Sequence, residues 1–322
     1  MLNFLIYFNA YFLQSALFLH PKLIVMNRKT FLKKGLLGTG IFVGGVSGMN
    51  LMKNDIDEVA PLQQLPSPDN LGFNHIQPSN SKIMDNTVLH RAETRGHANH
   101  GWLDSKHTFS FAHYHNPERM HFGVLRVLND DTVQGGMGFG THPHDNMEII
   151  SIPLDGDLEH RDSLGNVAVI RKGDVQVMSA GTGIRHSEFN KNKDQQVKFL
   201  QIWVFPNKRQ VTPRYDQITL NEADRHNRLQ QILSPNPNDA GVWIHQNAWF
   251  HLGRFDNGKG AEYNLKMQGN GVYAFVISGR FSIQGIAMNT RDGLGIWDVN
   301  ALKLESLAPN SEVLLMEVPL AL

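Results

Sequence analysis

Cysteine is missing from all 322 positions. Its absence excludes a disulfide scaffold, Cys-ligated zinc, an iron–sulfur cluster, a thiol nucleophile and a lipid-modified Cys anchor. Net charge is missing as well: Lys+Arg and Asp+Glu number 30 each, for a formal charge of +0. No overall field therefore gathers nucleic acid or an anionic bilayer, and no nucleic-acid partner is expected. Charged residues make up only 19% of the chain, and sustained helical periodicity is absent. Against these shortages stand 16 His and 29 Gly, a balance that points to imidazole chemistry on a turn-rich, β-rich scaffold. The length suits about two domains, each able to bury a core without staples.

The amino-terminal region differs from the rest. Phe4 to Leu19 is an apolar run interrupted by Asn9, Gln14 and Ser15, a little short of the ~20 residues of a spanning helix. After Met26, the basic stretch Asn27 to Lys34 precedes the mildly apolar, Gly-rich Gly35 to Gly48, the order of an export signal. Arg28-Lys29-Thr30-Phe31-Leu32-Lys33 resembles the twin-arginine pattern with Lys29 in place of the second arginine. Two readings stand: Met26 is the true start, or the whole region is a membrane anchor. Both place the folded part outside the cytoplasm, in the periplasm, and a cytoplasmic location follows only if the segment is no signal. Residues 1–52 are thus assigned to signal or anchor and 53–86 to a polar linker containing Leu65-Pro66-Ser67-Pro68.

From Thr87 onward, short β-type runs alternate with Gly, Asn, Asp and Pro clusters. The spacing predicts strands at 122–128, 148–154, 167–170, 175–178 and 197–205, then at 242–244, 249–255, 271–277, 281–283, 302–307 and 313–318. A polar stretch from Pro206 to Asn238, with a short helix expected near Glu222 to Gln231, separates the sets. An internal echo joins them, since Ile150 to Leu158 and Ala274 to Phe281 both read strand, Gly turn, strand. The expected fold is all-β, two tandem barrels, with domains at 87–206 and 207–322. Trp203, Trp243, Trp249 and Trp297 are expected in the core.

Chemistry concentrates in two stretches. In Gly140-Thr141-His142-Pro143-His144, residues i and i+2 of an extended strand face the same side, so both imidazoles can converge. In Gly181 to Glu188 the same spacing recurs with His186 and Glu188, while Arg185 has the opposite parity. On neighbouring strands these four residues form an N₃O set for a divalent metal. Glu148 competes with Glu188, but a straight strand carries it about 13 Å beyond His144 at ~3.3 Å per residue. Glu188 is the preferred ligand and Glu148 a supporting carboxylate. His97, His100, His107, His113, His115 and His121 read as turn and strand structure, with a second metal site as the alternative, and the second half offers only the isolated His245 and His251.

These residues resemble the pirin family of bicupins. The resemblance rests on Arg95 to Phe111, on Thr141-His142-Pro143-His144 through Glu148, and on Met178-Ser179-Ala180-Gly181-Thr182-Gly183-Ile184-Arg185-His186-Ser187-Glu188. It runs from about Val88 to the carboxyl terminus and is strong to about Pro206. The general cupin pattern is present with departures, Ser179-Ala180-Gly181 standing where Pro-x-Gly is usual. The resemblance implies two jelly-roll cupin barrels, the second metal-free, with His142, His144, His186 and Glu188 as ligands. It implies Fe(II), with Ni, Cu, Mn or Zn as alternatives, and cleavage of flavonols such as quercetin by O₂ with loss of carbon monoxide. Glu188 would then act as general base towards the substrate 3-hydroxyl. The alternative is a metal-binding regulatory protein without turnover. A monomer is expected.

Overall fold

A computed structural model of the chain describes residues 86–322. The expected signal, and the expected linker up to residue 85, lie outside the described residues. Asn86 is already part of the fold, its side-chain amide donating to the Trp297 carbonyl at 2.6 Å. Among the described residues no helix is long and apolar enough to cross a membrane.

The first strands are β1 (Thr87–His90), β2 (Gly96–Asn99), β3 (Leu103–His107), β4 (Leu125–Val133), β5 (Gly138–His144) and β6 (Glu148–Asp155). Then come β7 (Asp157–Asp162), β8 (Val167–Arg171), β9 (Asp174–Ser179), β10 (Ile184–Asn190), β11 (Val197–Val204) and β12 (Arg214–Thr219). The second set is β13 (Leu229–Ser234), β14 (Val242–Trp243), β15 (Trp249–Phe255), β16 (Gly260–Asn264) and β17 (Asn270–Ser278). It closes with β18 (Arg280–Ile283), β19 (Ile286–Asn289), β20 (Gly293–Ile296), β21 (Ala301–Ser306) and β22 (Ser311–Pro319). The helix expected near 222–231 is only a 3₁₀ turn, Glu222–Arg225, capped by the Asn221 side chain. Residues 229–231 instead begin β13, where they pair with β15.

Each barrel combines a seven-stranded with a four-stranded sheet. In the first, β12-β9-β6-β11-β4-β3-β2 faces β5-β10-β7-β8; in the second, β1-β20-β17-β22-β15-β13-β14 faces β16-β21-β18-β19. Strand pairing crosses the boundary drawn at 206/207. β1 adds to the edge of the second barrel beside β20, and β12 adds to the first beside β9. Each edge strand leaves its own half to satisfy backbone groups on the other.

Period-two alternation divides the core. In β17, Val272, Ala274 and Val276 point into the second barrel, while Tyr273, Phe275 and Ile277 point towards the first. In β22, Val313 and Leu315 go inward and Leu314, Met316 and Val318 outward. The outward sets meet Ile150, Ile152, Val175, Val177, Leu200 and Ile202, so the two large sheets share one continuous apolar core. The sequence echo is also structural: Gly156 (φ 74°) turns β6 into β7, and Gly279 (φ 75°) turns β17 into β18.

Candidate metal centre

The interior of the first barrel is graded along β11. Its odd positions face inward. Val197 and Phe199 close one end with Leu103, Val133, Leu158 and Ile170, Gln201 follows at mid-height, and Trp203 reaches the other end. There Trp203 meets His144 at a ring separation of 4.9 Å and Phe111 at 5.4 Å. The four tryptophans expected in the core are only partly buried. Trp203 flanks the histidine site and Trp243 lies under the Arg214 guanidinium, 3.9 Å from its ring centre.

The expected pairing of the two motif strands is present. β10 runs antiparallel to β5, with His186 opposite His142 and Ile184 opposite His144. The ring centres of His142, His144 and His186 are separated by 4.8, 4.4 and 4.9 Å. Their ligand atoms all lie within 4.8 Å of one another. His142 donates from Nδ1 to the Gly140 carbonyl at 2.8 Å, which leaves Nε2 as its lone-pair side. Burial, reinforced for His144 and His186 by the neighbouring rings, holds all three imidazoles below the usual histidine range. They therefore stay neutral, the form that ligates metals.

Glu188 stands beside this trio but not within it. Its oxygens group with His160 and His186 within 4.8 Å, and a bulge between His186 and Glu188 shifts the register against β5. Oε1 accepts from the Ser151 hydroxyl at 3.1 Å and Oε2 from the Gln201 amide at 2.8 Å. Glu148 is elsewhere. It accepts from the Ser179 hydroxyl at 2.6 Å, and burial, against that bond and the Arg214 charge, pushes its carboxyl up to about 7. It opens β6 in the seven-stranded sheet, whereas His142 and His144 lie on β5 in the facing four-stranded sheet, so the chain turns between them instead of running on as one straight strand. Arg185 is exposed, as its parity demands.

These residues fit a divalent ion. Three neutral imidazoles converge, and the Nε2 of the buried His186 has no hydrogen-bond partner, a cost that a ligated cation removes. Among the described residues the second barrel offers no comparable cluster.

His160 was missed by sequence reasoning. It is fully buried on β7, opposite Glu188, with its ring 4.7 Å from that of Tyr215. The signal was available in His160-Arg161-Asp162, a third i, i+2 pair of side chains able to ligate or to support a ligand. Of the remaining histidines, His107 is buried beside Phe111 at 5.2 Å, as structural histidines are.

Comparison with known proteins gives a consistent picture. The family model Pirin matches residues 88–204, and the model Quercetinase C-terminal cupin domain matches 231–318. A protein of Escherichia coli K12 named quercetin 2,3-dioxygenase is 42% identical over 231 residues, 72% of this chain and 98% of the relative. A pirin-like protein of Caulobacter vibrioides is 37% identical over 223 residues, covering 69% of this chain and 95% of the relative. Among solved structures, bacterial pirin YhhW of Escherichia coli in complex with nickel(II) superimposes with a TM-score of 0.69 at 42% identity, covering 72% of this chain and 99% of that one.

Proposed function

The chain belongs to the pirin family of bicupins, and from that premise we propose that it is a metal-dependent dioxygenase that opens flavonols such as quercetin with O₂. The convergence of His142, His144 and His186 on one point, with a bare buried nitrogen on His186, carries this reading. The relatives named as quercetin 2,3-dioxygenases supply the substrate class. Iron(II) is the ion placed first. Nickel, present in a relative's crystal structure, and copper, manganese or zinc suit the same N/O donors.

In this reading the three imidazoles hold the ion and Glu188 completes the set or stands next to it. A divalent ion there supplies Lewis acidity towards a hydroxyl placed against it. Glu188, its oxygens aimed by Ser151 and Gln201, takes the 3-hydroxyl proton of the flavonol. Trp203 and Phe111 offer an aromatic wall beside His144 for a flat substrate. Export and a monomeric state belong to the same proposal.

The test is quercetin-dependent oxygen consumption by purified iron-loaded protein, with carbon monoxide measured as the second product. Uptake of O₂ matched by release of CO is the expected result. Stoichiometric metal with no quercetin-dependent uptake sinks the assignment.

A further inference from the structure

Metal-site histidines need the proton on the nitrogen that faces away from the ion. For His142 the Gly140 carbonyl fixes that choice. His186 has no carbonyl at Nδ1. Its Nδ1 instead faces the Nδ1 of His160 at 3.4 Å, at the long end of hydrogen-bonding distance. Two ring nitrogens facing each other share one proton, and the groups behind His160 determine which nitrogen carries it.

Behind His160 stands Asp162. Its Oδ2 lies 3.0 Å from His160 Nε2, and its side chain is fully enclosed. Every other contact of this carboxylate is with a donor. Oδ1 accepts from the backbone N–H of Leu164 at 2.9 Å and of Asn166 at 3.1 Å, and Oδ2 from the Asn166 amide at 2.9 Å. The turn from β7 to β8 is folded around it. An acceptor so saturated requires the His160 proton on Nε2. His160 Nδ1 is then the acceptor, His186 Nδ1 the donor, and His186 Nε2 is left bare at the point where it meets His142 and His144.

We infer that Asp162 and His160 are positioning residues which, through hydrogen bonds in series, lock His186 in the tautomer that presents Nε2 to the metal. The inference rests on the metal-centre reading for its purpose, but the proton arrangement is a property of the chain alone. His160 is assigned no ligand role, although it also groups with His186 and Glu188.

Two measurements test it. Long-range ¹H–¹⁵N NMR of the metal-stripped protein reports which His186 nitrogen bears hydrogen, and competition with a chelator gives the affinity for Ni(II). Wild type is expected to show Nδ1–H on His186. Asp162→Asn, which presents an amide N–H to His160 Nε2, is expected to move the His186 proton to Nε2 and weaken Ni(II) binding by roughly 10–100-fold. His160→Phe is expected to weaken binding similarly. His160→Asn, whose amide oxygen takes the place of the acceptor Nδ1, keeps most of the affinity. Thermal melts identify any variant that has lost its fold.

An Nε2–H tautomer in the wild-type apoprotein overturns the inference. So does Ni(II) affinity unchanged in both Asp162→Asn and His160→Phe. If His160→Asn loses metal as completely as His144→Ala, His160 is a ligand and the positioning role is wrong. If wild type itself takes up no Ni(II), the metal-centre reading fails, and the proton position on His186 still decides the hydrogen-bonded series.

Discussion

Across the two barrels, two kinds of titratable residue are buried with opposite consequences. Asp131 accepts from the Ser105 hydroxyl, yet burial dominates and pushes its carboxyl up to about 7. Between its ordinary value of 3.8 and about 7 the native state holds a proton that the unfolded chain releases, so its contribution to stability falls as pH rises through that window. His90, His107 and His251 run the other way. Burial lowers each to about 4, so their contribution is lost as pH falls from about 6.5. Asp131→Asn keeps an acceptor for Ser105 and removes the first effect alone. Urea unfolding of metal-free protein should show the variant gaining on wild type from pH 5 to pH 8, by a few kcal/mol at most. A pH-independent difference would mean that Asp131 does not titrate as its burial requires.

At the scale of the element, the two glycine turns make a graded prediction. Gly156 and Gly279 adopt positive φ and are also crowded. A Cβ at Gly156 would meet the Gln196 carbonyl at 2.8 Å, and one at Gly279 would meet the Ser311 side chain. Gly165, in the turn from β7 to β8, has φ 92° but nothing within 4 Å of its Cβ position. Alanine at Gly165 should cost only backbone strain, about 1–2 kcal/mol, and alanine at Gly156 more. Equal losses in urea titrations would remove the steric argument.

The same elements mark what was legible beforehand. Trp249 to Phe255 appears as one strand because its apolar residues face cores on both sides, and the HxH motif was readable because strand parity is local. β5, β7 and β10 carry the site but are rich in polar residues facing inward, so hydrophobic periodicity does not mark them as strands. The i, i+2 spacing of His160 and Asp162 is readable in the sequence, but only the pairing of β7 with β10 sets His160 beside His186 and Glu188. Where β1 and β12 dock is a matter of partners far along the chain, and no local pattern encodes it.

For the whole molecule, the shared core between the two large sheets matters most. Phe275 is fully buried there, and the Arg95 guanidinium from the first barrel lies 5.5 Å from its ring centre. Arg95 also pairs with Asp130, which in turn pairs with Arg291 of the second barrel. Phe275→Ala should cost about 3–5 kcal/mol. It should shift a single unfolding transition, followed by near-UV circular dichroism and tryptophan fluorescence together, without splitting it. Two resolved transitions would show that the barrels fold independently.

The docking of β1 has a consequence for the order in which the chain becomes native. β1 emerges from the ribosome before any other described strand, yet its ladder needs β20, and the Asn86 contact with Trp297 joins residues 211 positions apart. The second barrel cannot close its edge until β20 has been synthesised, and the ladder then joins segments far apart along the chain. Until then β1 waits as an unpaired edge strand, the state in which a nascent protein depends most on whatever shields it.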